Sequence, residues 1–399
     1  MTHHVRVLDP DELRAAHTLF AAALHLDPLD DESWERRRHS YLPGRTLGVS
    51  DSSGLIGTTM SFPARTAVPG AALPTAAVSR VGVRADRTRR GVLSELMRAQ
   101  FDDAAVRGEV IATLRASEAR IYGRFGYGVA TRAREVTVGT RGGLRDGAPP
   151  GGTVRMLPAG DIVAATAAVH ARIALDRVGG MTRHEQLWDQ GIGNRVRRHE
   201  HVVAAVHTGP GGDDGYAVAV PGGSDGGFAD RALRVTDLHA AGVDATAGLW
   251  RFLLGLDLIG RVEGWMRPVD EPLELLLADP RDCRVTGETD ETWLRILDVP
   301  AALAARSWGP GRPVRIAVRD PLRPRNEGVY RIGEGRAEPV DAAPELQCDV
   351  AALAMAYLGD RAPSQLAATG WWHVHDPAAV ARADAVFATA TRPWCGTFF

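Results

Sequence analysis

The sequence predicts an α+β protein of three domains, on three observations. The chain has 399 residues, more than one hydrophobic core supports, since single cores stop growing near roughly 250 to 300 residues. Turn-forming clusters at Arg141 to Gly152 and at Gly287 to Thr292 interrupt its periodic segments. A strand, loop, helix, strand unit between Ala76 and Leu114 recurs in weaker form between Val202 and Leu256. Boundaries are expected near 150 and 290, giving domains 1–150, 151–290 and 291–399.

Asp11 to Ala23 has helical spacing, and Thr46 to Val49, Gly54 to Phe62 and Ala76 to Val83 read as strands, the last entering an Arg-rich turn. From Gly91 onward Leu93, Leu96, Met97, Phe101 and Ala104 fall on one helical face, and Gly108 is placed to end that helix in a left-handed conformation. Val110 to Leu114 then reads as a buried strand. In the second segment Val202 to His207 and Tyr216 to Val220 make a Gly-rich hairpin, Arg234 to Ala240 a strand and Thr246 to Leu256 a helix. The third opens on the strand Thr292 to Leu297, with a helix at Val299 to Arg306. Strands at Val314 to Val318 and Gly328 to Ile332 come next, then helices at Val350 to Leu358 and Pro377 to Ala388.

Composition narrows the function classes. A net charge of -2 provides no basic field for a phosphate backbone, so no nucleic-acid partner is expected. All 47 basic residues are arginine, which rules out a lysine nucleophile or Schiff base. Cys283, Cys348 and Cys395 are odd in number and lack CxxC spacing, as expected in a reducing compartment with no structural zinc. Met1 to Pro10 carries His, Arg and Asp where a signal peptide needs an apolar run. The most apolar stretch, Leu249 to Ile259, contains Arg251 and Asp257. A soluble, cytoplasmic protein with no membrane partner is expected.

The strongest chemical signal is Arg80 to Leu93. A strand turning straight into a helix aims the unpaired N–H groups of Arg89 to Leu93 and the positive end of the helix dipole at one spot, which suits a pyrophosphate. Gly91 lets the backbone approach a ligand, and Arg87, Arg89 and Arg90 can screen phosphate charge. The next strand leads to RASEARIYGRFGYG, Arg115 to Gly128, where Ser117 can cap a short helix holding Tyr122 and ending at Gly126. A tyrosine of pKa about 10 facing a thiol of pKa about 8.5 is a workable general acid for thioester aminolysis. Spacing alone leaves Tyr122 and Tyr127 as equal candidates for that acid.

The Arg-Arg-Gly loop together with ASEARIYGRFGYG resembles the Gcn5-related N-acetyltransferases (GNAT), and more closely the actinobacterial enhanced intracellular survival (Eis) family. The resemblance implies two tandem GNAT domains, the second degenerate, then a sterol-carrier-like domain, in a homohexamer. The loop Ala241 to Ala245, without arginine, agrees with a degenerate second domain. It also implies acetyl-CoA as co-substrate, with Val81, Gly82 and Val83 along its pantetheine arm. Arg89, Arg90, Gly91, Val92, Leu93 and Ser94 then take the pyrophosphate, Ser117 and Glu118 lie beside the thioester arm, and Tyr122 is the proton donor. The α-carboxylate of the terminal Phe399 is implied as the base, anchored by Trp394 and the terminal aromatics. Asp27, Glu32, Trp34 and Glu35 border the amine acceptor, and Asp27 and Trp34 are the substrate candidates. Aminoglycoside amines, hence antibiotic resistance, or protein lysines are the implied acceptors. Two departures stand out: Thr88 where the loop commonly has Gln or Arg, and Phe398 where many relatives carry an acidic residue.

Other signals point elsewhere. Gly222 to Gly226 matches the G-x-S-x-G of a hydrolase, yet the next residues, GFADRALRV, read as loop and strand instead of the required helix. His199 with His201 and His373 with His375 alternate like metal ligands, but neither pair has a third ligand nearby in sequence, and no metal is expected. Trp371 and Trp372 read as core or interface. A lipid-binding scaffold with a dead first domain would be expected to have lost Gly91 and the arginines, and this chain keeps them.

Overall fold

The computed structural model describes residues 4–223 and 231–399. The first part of the chain forms β1 (Val5–Val7), α1 (Leu13–Ala23), α2 (Asp31–Arg37), β2 (Thr46–Asp51), β3 (Gly54–Val68), β4 (Ala71–Val83), α3 (Val92–Val106), β5 (Ile111–Leu114), α4 (Ala119–Tyr122), β6 (Gly128–Val129) and β7 (Arg132–Gly139). The middle forms β8 (Thr153–Met156), α5 (Ile162–Ile173), α6 (Glu185–Trp188), α7 (Asn194–Arg197), β9 (Val203–Gly209), β10 (Gly212–Pro221), β11 (Ala232–Ala240), α8 (Val243–Leu254), β12 (Arg261–Pro268), α9 (Leu273–Leu276) and β13 (Cys283–Asp290). The remainder forms β14 (Trp293–Ile296), α10 (Val299–Ala305), β15 (Val314–Arg319), β16 (Gly328–Gly333), β17 (Arg336–Val340), β18 (Leu346–Asp349), α11 (Val350–Tyr357), α12 (Pro363–Ala368), β19 (Trp372–Val374) and α13 (Ala378–Phe387). The strands make three sheets, ordered β1-β2-β3-β4-β5-β14-β6, β13-β7-β12-β11-β10-β9-β8 and β17-β16-β15-β18-β19.

In the first sheet α3 supplies the packing. Val92 and Leu96 sit against Leu47, Val49 and Ile56, while Met97, Phe101 and Ala104 sit against Ala76, Val78, Ala112 and Leu114. This is the single apolar face read from the sequence, and each such side chain contributes roughly 1.5 to 3 kcal/mol on burial. The helix comes this close because Gly57 has no side chain: a Cβ there would stand 2.7 Å from Val92. Gly108 ends the helix at φ +74°, with Glu109 N–H closing on Ala104 C=O at 2.9 Å.

The chain divides into two compact units, one of residues up to Ala130 with Thr292–Thr389 and Phe399, the other of Thr131–Glu291 with Ala390–Phe398. The break expected near 150 lies inside the second unit, because β7 pairs with β12 and β13. The segment expected to open the third domain instead supplies β14 to the first sheet, between β5 and β6. The turn-like cluster at 287–292 runs into β13, whose ladder with β7 is bulged between Val285 and Gly287. In each case hydrogen bonding to a distant strand overrides local propensity.

Within the first unit the C-terminal module is built onto the sheet. A Cβ on Gly128 of β6 would lie 2.2 Å from the carbonyl of Ala351 in α11, so that helix packs at backbone contact. Arg295 of β14, fully buried, donates to both carboxylate oxygens of Asp320 at 2.7 Å.

Candidate active site

The site begins with a divergence of strands. β4 pairs in parallel with β5 only at Thr75–Ala77 and Ile111–Thr113, while its pairing with β3 continues to Val83. The β3–β4 register shifts between Thr58 and Met60, and Arg80 opposite takes φ +52°. A bulge of this kind bends its strand and turns it away from a neighbour. The opening is a cleft of about 770 Å³ lined by Val81, Gly82, Val83, Arg87, Thr88, Arg89, Gly91, Val92, Leu93, Ser94, Glu118, Ile121, Tyr122 and Arg124, with Ala23 and Leu24 of α1. Gly82 lets α1 lie against this edge, since a Cβ there would stand 3.0 Å from the Phe20 backbone.

Residues 84–91 carry the chain from β4 to α3. Arg89 and Gly91 both have positive φ, +60° and +87°, and a Cβ on Gly91 would meet nothing within 4 Å, so it would project into open space. The first intrahelical bond is Glu95 N–H to Gly91 C=O at 3.1 Å, which leaves the N–H groups before it to a ligand or water. Arg87 is not the free screening cation expected of it: Asp51 holds it at 2.8 Å and Asp86 at 2.5 Å. Arg89 and Arg90 are exposed, and of the two only Arg89 lines the cleft.

Tyr122 and Glu118 form the facing wall. Tyr122 is buried, and burial pushes its hydroxyl up to about 12. Tyr127, also buried, lies ring to ring with it at 5.9 Å but does not line the cleft. Ser117 is exposed, does not cap α4 and is outside the cleft lining, because the helix begins one residue later, with Glu118 at its N-cap and no side-chain cap bond. Gly126, at φ +80°, comes directly after the last turn.

The acceptor candidates are rearranged. Trp34 is no open wall: it is 8% exposed and packs 5.9 Å from both His17 and Tyr41. Glu32 and Glu35 pair with Arg36 and Arg38 at 2.5 and 2.9 Å, so much of the expected negative field is neutralised locally. Asp27 is exposed, and neither it nor Trp34 lines the cleft. Trp394 is buried, Phe398 is 64% exposed and Phe399 is half-buried. Arg124 is a cleft cation that sequence reasoning missed, although it lies within the IYGRFGYG motif.

The histidine and tryptophan pairs take no part in the cleft lining. His199 and His201 are exposed, and the rings of His373 and His375 meet edge-on at 4.6 Å. Trp372 is core and Trp371 is half-exposed. Ser224 to Gly226 of the G-x-S-x-G match lie outside the described residues. Among the described residues no helix is long and apolar enough to cross a membrane.

A splayed parallel strand pair whose first strand turns through an arginine and glycine loop into a helix, in a chain that adds a further α+β module to the same unit, defines an N-acetyltransferase of the GNAT class with an appended C-terminal domain. Family models agree: an acetyltransferase (GNAT) domain matches residues 4–130 and another 179–296, and a sterol carrier protein domain matches 299–396. The N-acetyltransferase Eis of Mycobacterium bovis is 34% identical, covering 93% of each chain, and the structure of Eis1 from Mycobacterium abscessus superposes with a TM-score of 0.91 at 36% identity over all of both chains. A GCN5-related N-acetyltransferase from Anabaena variabilis shares the fold, with a TM-score of 0.86 at 20% identity over both full chains. The chain belongs to the Eis family of N-acetyltransferases. Acetyltransferases of the GNAT fold use acetyl-CoA, and the open backbone at Gly91, the helix start and the volume of the cleft fit that co-substrate.

Proposed function

We propose that this enzyme acetylates primary amines of aminoglycoside-type polyamines, at several positions, by direct transfer in a ternary complex with Tyr122 as general acid and the Phe399 carboxylate as general base. The observation carrying this reading is that Tyr122 and the Gly91 loop line one cleft. Bound acetyl-CoA would supply the acetyl thioester. Val81, Gly82 and Val83 hold its arm through backbone groups, Arg89 and the N–H groups of Gly91 to Ser94 hold its phosphates, and Glu118 stands beside the reacting end. Tyr122 delivers a proton to the departing sulfur. The Phe399 carboxylate, of reference pKa about 3.5 and so ionised at neutral pH, takes the proton from the attacking amine. Action in the cytoplasm as a homohexamer belongs to the same reading.

Thiol release from acetyl-CoA, measured against aminoglycosides, polyamines and lysine peptides, tests the acceptor: aminoglycosides should turn over fastest, and faster transfer to lysine peptides would overturn that assignment. A C-terminal tag should abolish transfer while acetyl-CoA still binds. Undiminished turnover by the tagged enzyme would place the base elsewhere.

A further inference from the structure

The second unit repeats the strand divergence of the first. β11 pairs in parallel with β12 only at Ala232–Val235 and Arg261–Gly264, while its ladder with β10 continues to Ala240 across a register shift between Val218 and Ala219. β12 is itself irregular between Gly264 and Arg267, and Met266 has φ +52°. The strands therefore separate beyond Val235, as β4 and β5 do beyond Ala77. Here, however, the opening is filled: a residual cavity of only about 70 Å³ remains, lined by His239, Ala240, Arg267, Trp394 and Cys395 among others.

The filling is the chain's own end. Trp394 Nε1 donates to Met266 C=O of β12 at 2.9 Å, and its ring lies 4.6 Å from His239 of β11. The Glu291 carboxylate accepts from the backbone N–H groups of Cys395 and Gly396 at 3.0 and 2.6 Å. Arg183, paired with Asp237 of β11, donates to Gly396 C=O and to Thr397 Oγ1, both at 3.0 Å. Gly396 has φ +66°, and a Cβ there would stand 2.4 Å from the Trp394 ring and 2.7 Å from His239. Cys395 and Thr397 are 1% and 0% exposed. Buried charges that satisfy both the donors and the acceptor of one peptide turn constitute a recognition site, since each would be costly to bury unpaired.

We propose that the cleft of the second domain is a peptide receptor whose ligand is Trp394 to Thr397 of the same chain, and that Glu291 and Arg183 are positioning residues that set the place of Phe399, two residues further on. The consequence for turnover rests on the terminal carboxylate being the base, so the test separates the two claims. In the full-length wild type, amide exchange at Cys395 and Gly396 should be as slow as in the core of the unit, and Cys395 should resist alkylation. Exchange at free-peptide rates would overturn the receptor. Gly396→Val should raise alkylation at Cys395 by roughly 100-fold or more by freeing the local segment, while acetyl-CoA binding is unchanged. Glu291→Gln, which keeps the side-chain volume but replaces one of the two accepting oxygens with an NH2 donor facing the turn's N–H groups, should do the same more weakly, and unchanged protection in both variants would overturn the proposal. Added to Gly396→Val, a synthetic Arg392 to Phe399 peptide should bind saturably in either its acid or its amidated form, and failure of both to bind counts against the receptor. Only the acid form should restore turnover. Equal restoration by the amidated form would overturn the carboxylate base and leave the receptor standing.

Discussion

Tyr122 and Tyr127 are neighbours with opposite surroundings. Tyr122 lines the cleft, and the hydroxyl of Tyr127 is buried without a hydrogen-bond partner. Tyr122→Phe should therefore lower turnover by roughly 100- to 10,000-fold, the usual value of general acid catalysis, with coenzyme affinity nearly unchanged. Tyr127→Phe removes an unsatisfied polar atom and should leave both turnover and stability near wild type. Steady-state kinetics with calorimetric binding distinguishes them, and the reverse ranking would reassign the acid. Because burial holds Tyr122 near 12, it stays protonated over the working range and should contribute no alkaline fall in rate below that pH. His17 titrates the other way. Burial, then the nearby Arg80 and Arg37 cations, push it down to about 4. The unfolded chain, with an ordinary histidine near 6.5, thus binds protons that the folded chain does not, so stability falls as pH drops through about 6.5 towards 4. His170 and His239 are shifted in the same direction by burial. Unfolding temperature should decline between pH 7 and 5, and His17→Gln should flatten part of that decline.

At the scale of elements, the two domains differ in how the strand reaches its helix. Residues 84–91 make the connection in the first and residues 241–242 in the second, where the helix begins at Val243. The short connection has no room for a left-handed arginine and glycine pair, and its cleft is already filled. Calorimetric titration should give one acetyl-CoA per chain, and a stoichiometry near two would show that the second domain also binds it. Gly91→Val tests the loop itself. A Cβ there enters open space with nothing within 4 Å, so the main cost to folding is the positive φ, about 1 to 2 kcal/mol. Binding should be lost while the unfolding temperature falls by only a few degrees.

Across the whole molecule, the first sheet and the C-terminal module are parts of one compact unit. Arg295 enters that sheet on β14, 0% exposed, and its carboxylate partner Asp320 comes just after β15 of the module and accepts a further bond from Asn326 Nδ2 at 2.7 Å. Removing one member of such a pair strands a buried charge. Asp320→Ala should cost about 3 to 5 kcal/mol, whereas the double variant Arg295→Met, Asp320→Leu should recover much of that loss. Denaturant unfolding monitored by both fluorescence and circular dichroism would show whether sheet and module lose structure together, as a shared buried pair requires.

The α+β class, the helix from Gly91 to Gly108 and the arginine and glycine loop that enters it were legible in the sequence because each is written in near neighbours: apolar spacing along one helix, a glycine where φ turns positive, N–H groups left over at a helix start. Spacing offered Tyr122 and Tyr127 alike, and the family resemblance chose Tyr122. That Tyr122 lines the cleft and Tyr127 does not depends on the fold, since the cleft exists because two strands part beyond Ala77. The interior place of Trp34, the exposure of Ser117 and the capture of Arg87 by Asp51 depend on what folds against them. The insertion of β14 between β5 and β6, the passage of β7 into the second sheet and the seating of the tail depend on still more distant partners; the Glu291 carboxylate alone joins Thr131, Cys395 and Gly396. Local pattern specifies elements and their exposed loops, but hydrogen bonds between strands far apart in sequence choose which element completes which sheet and which cleft stays open.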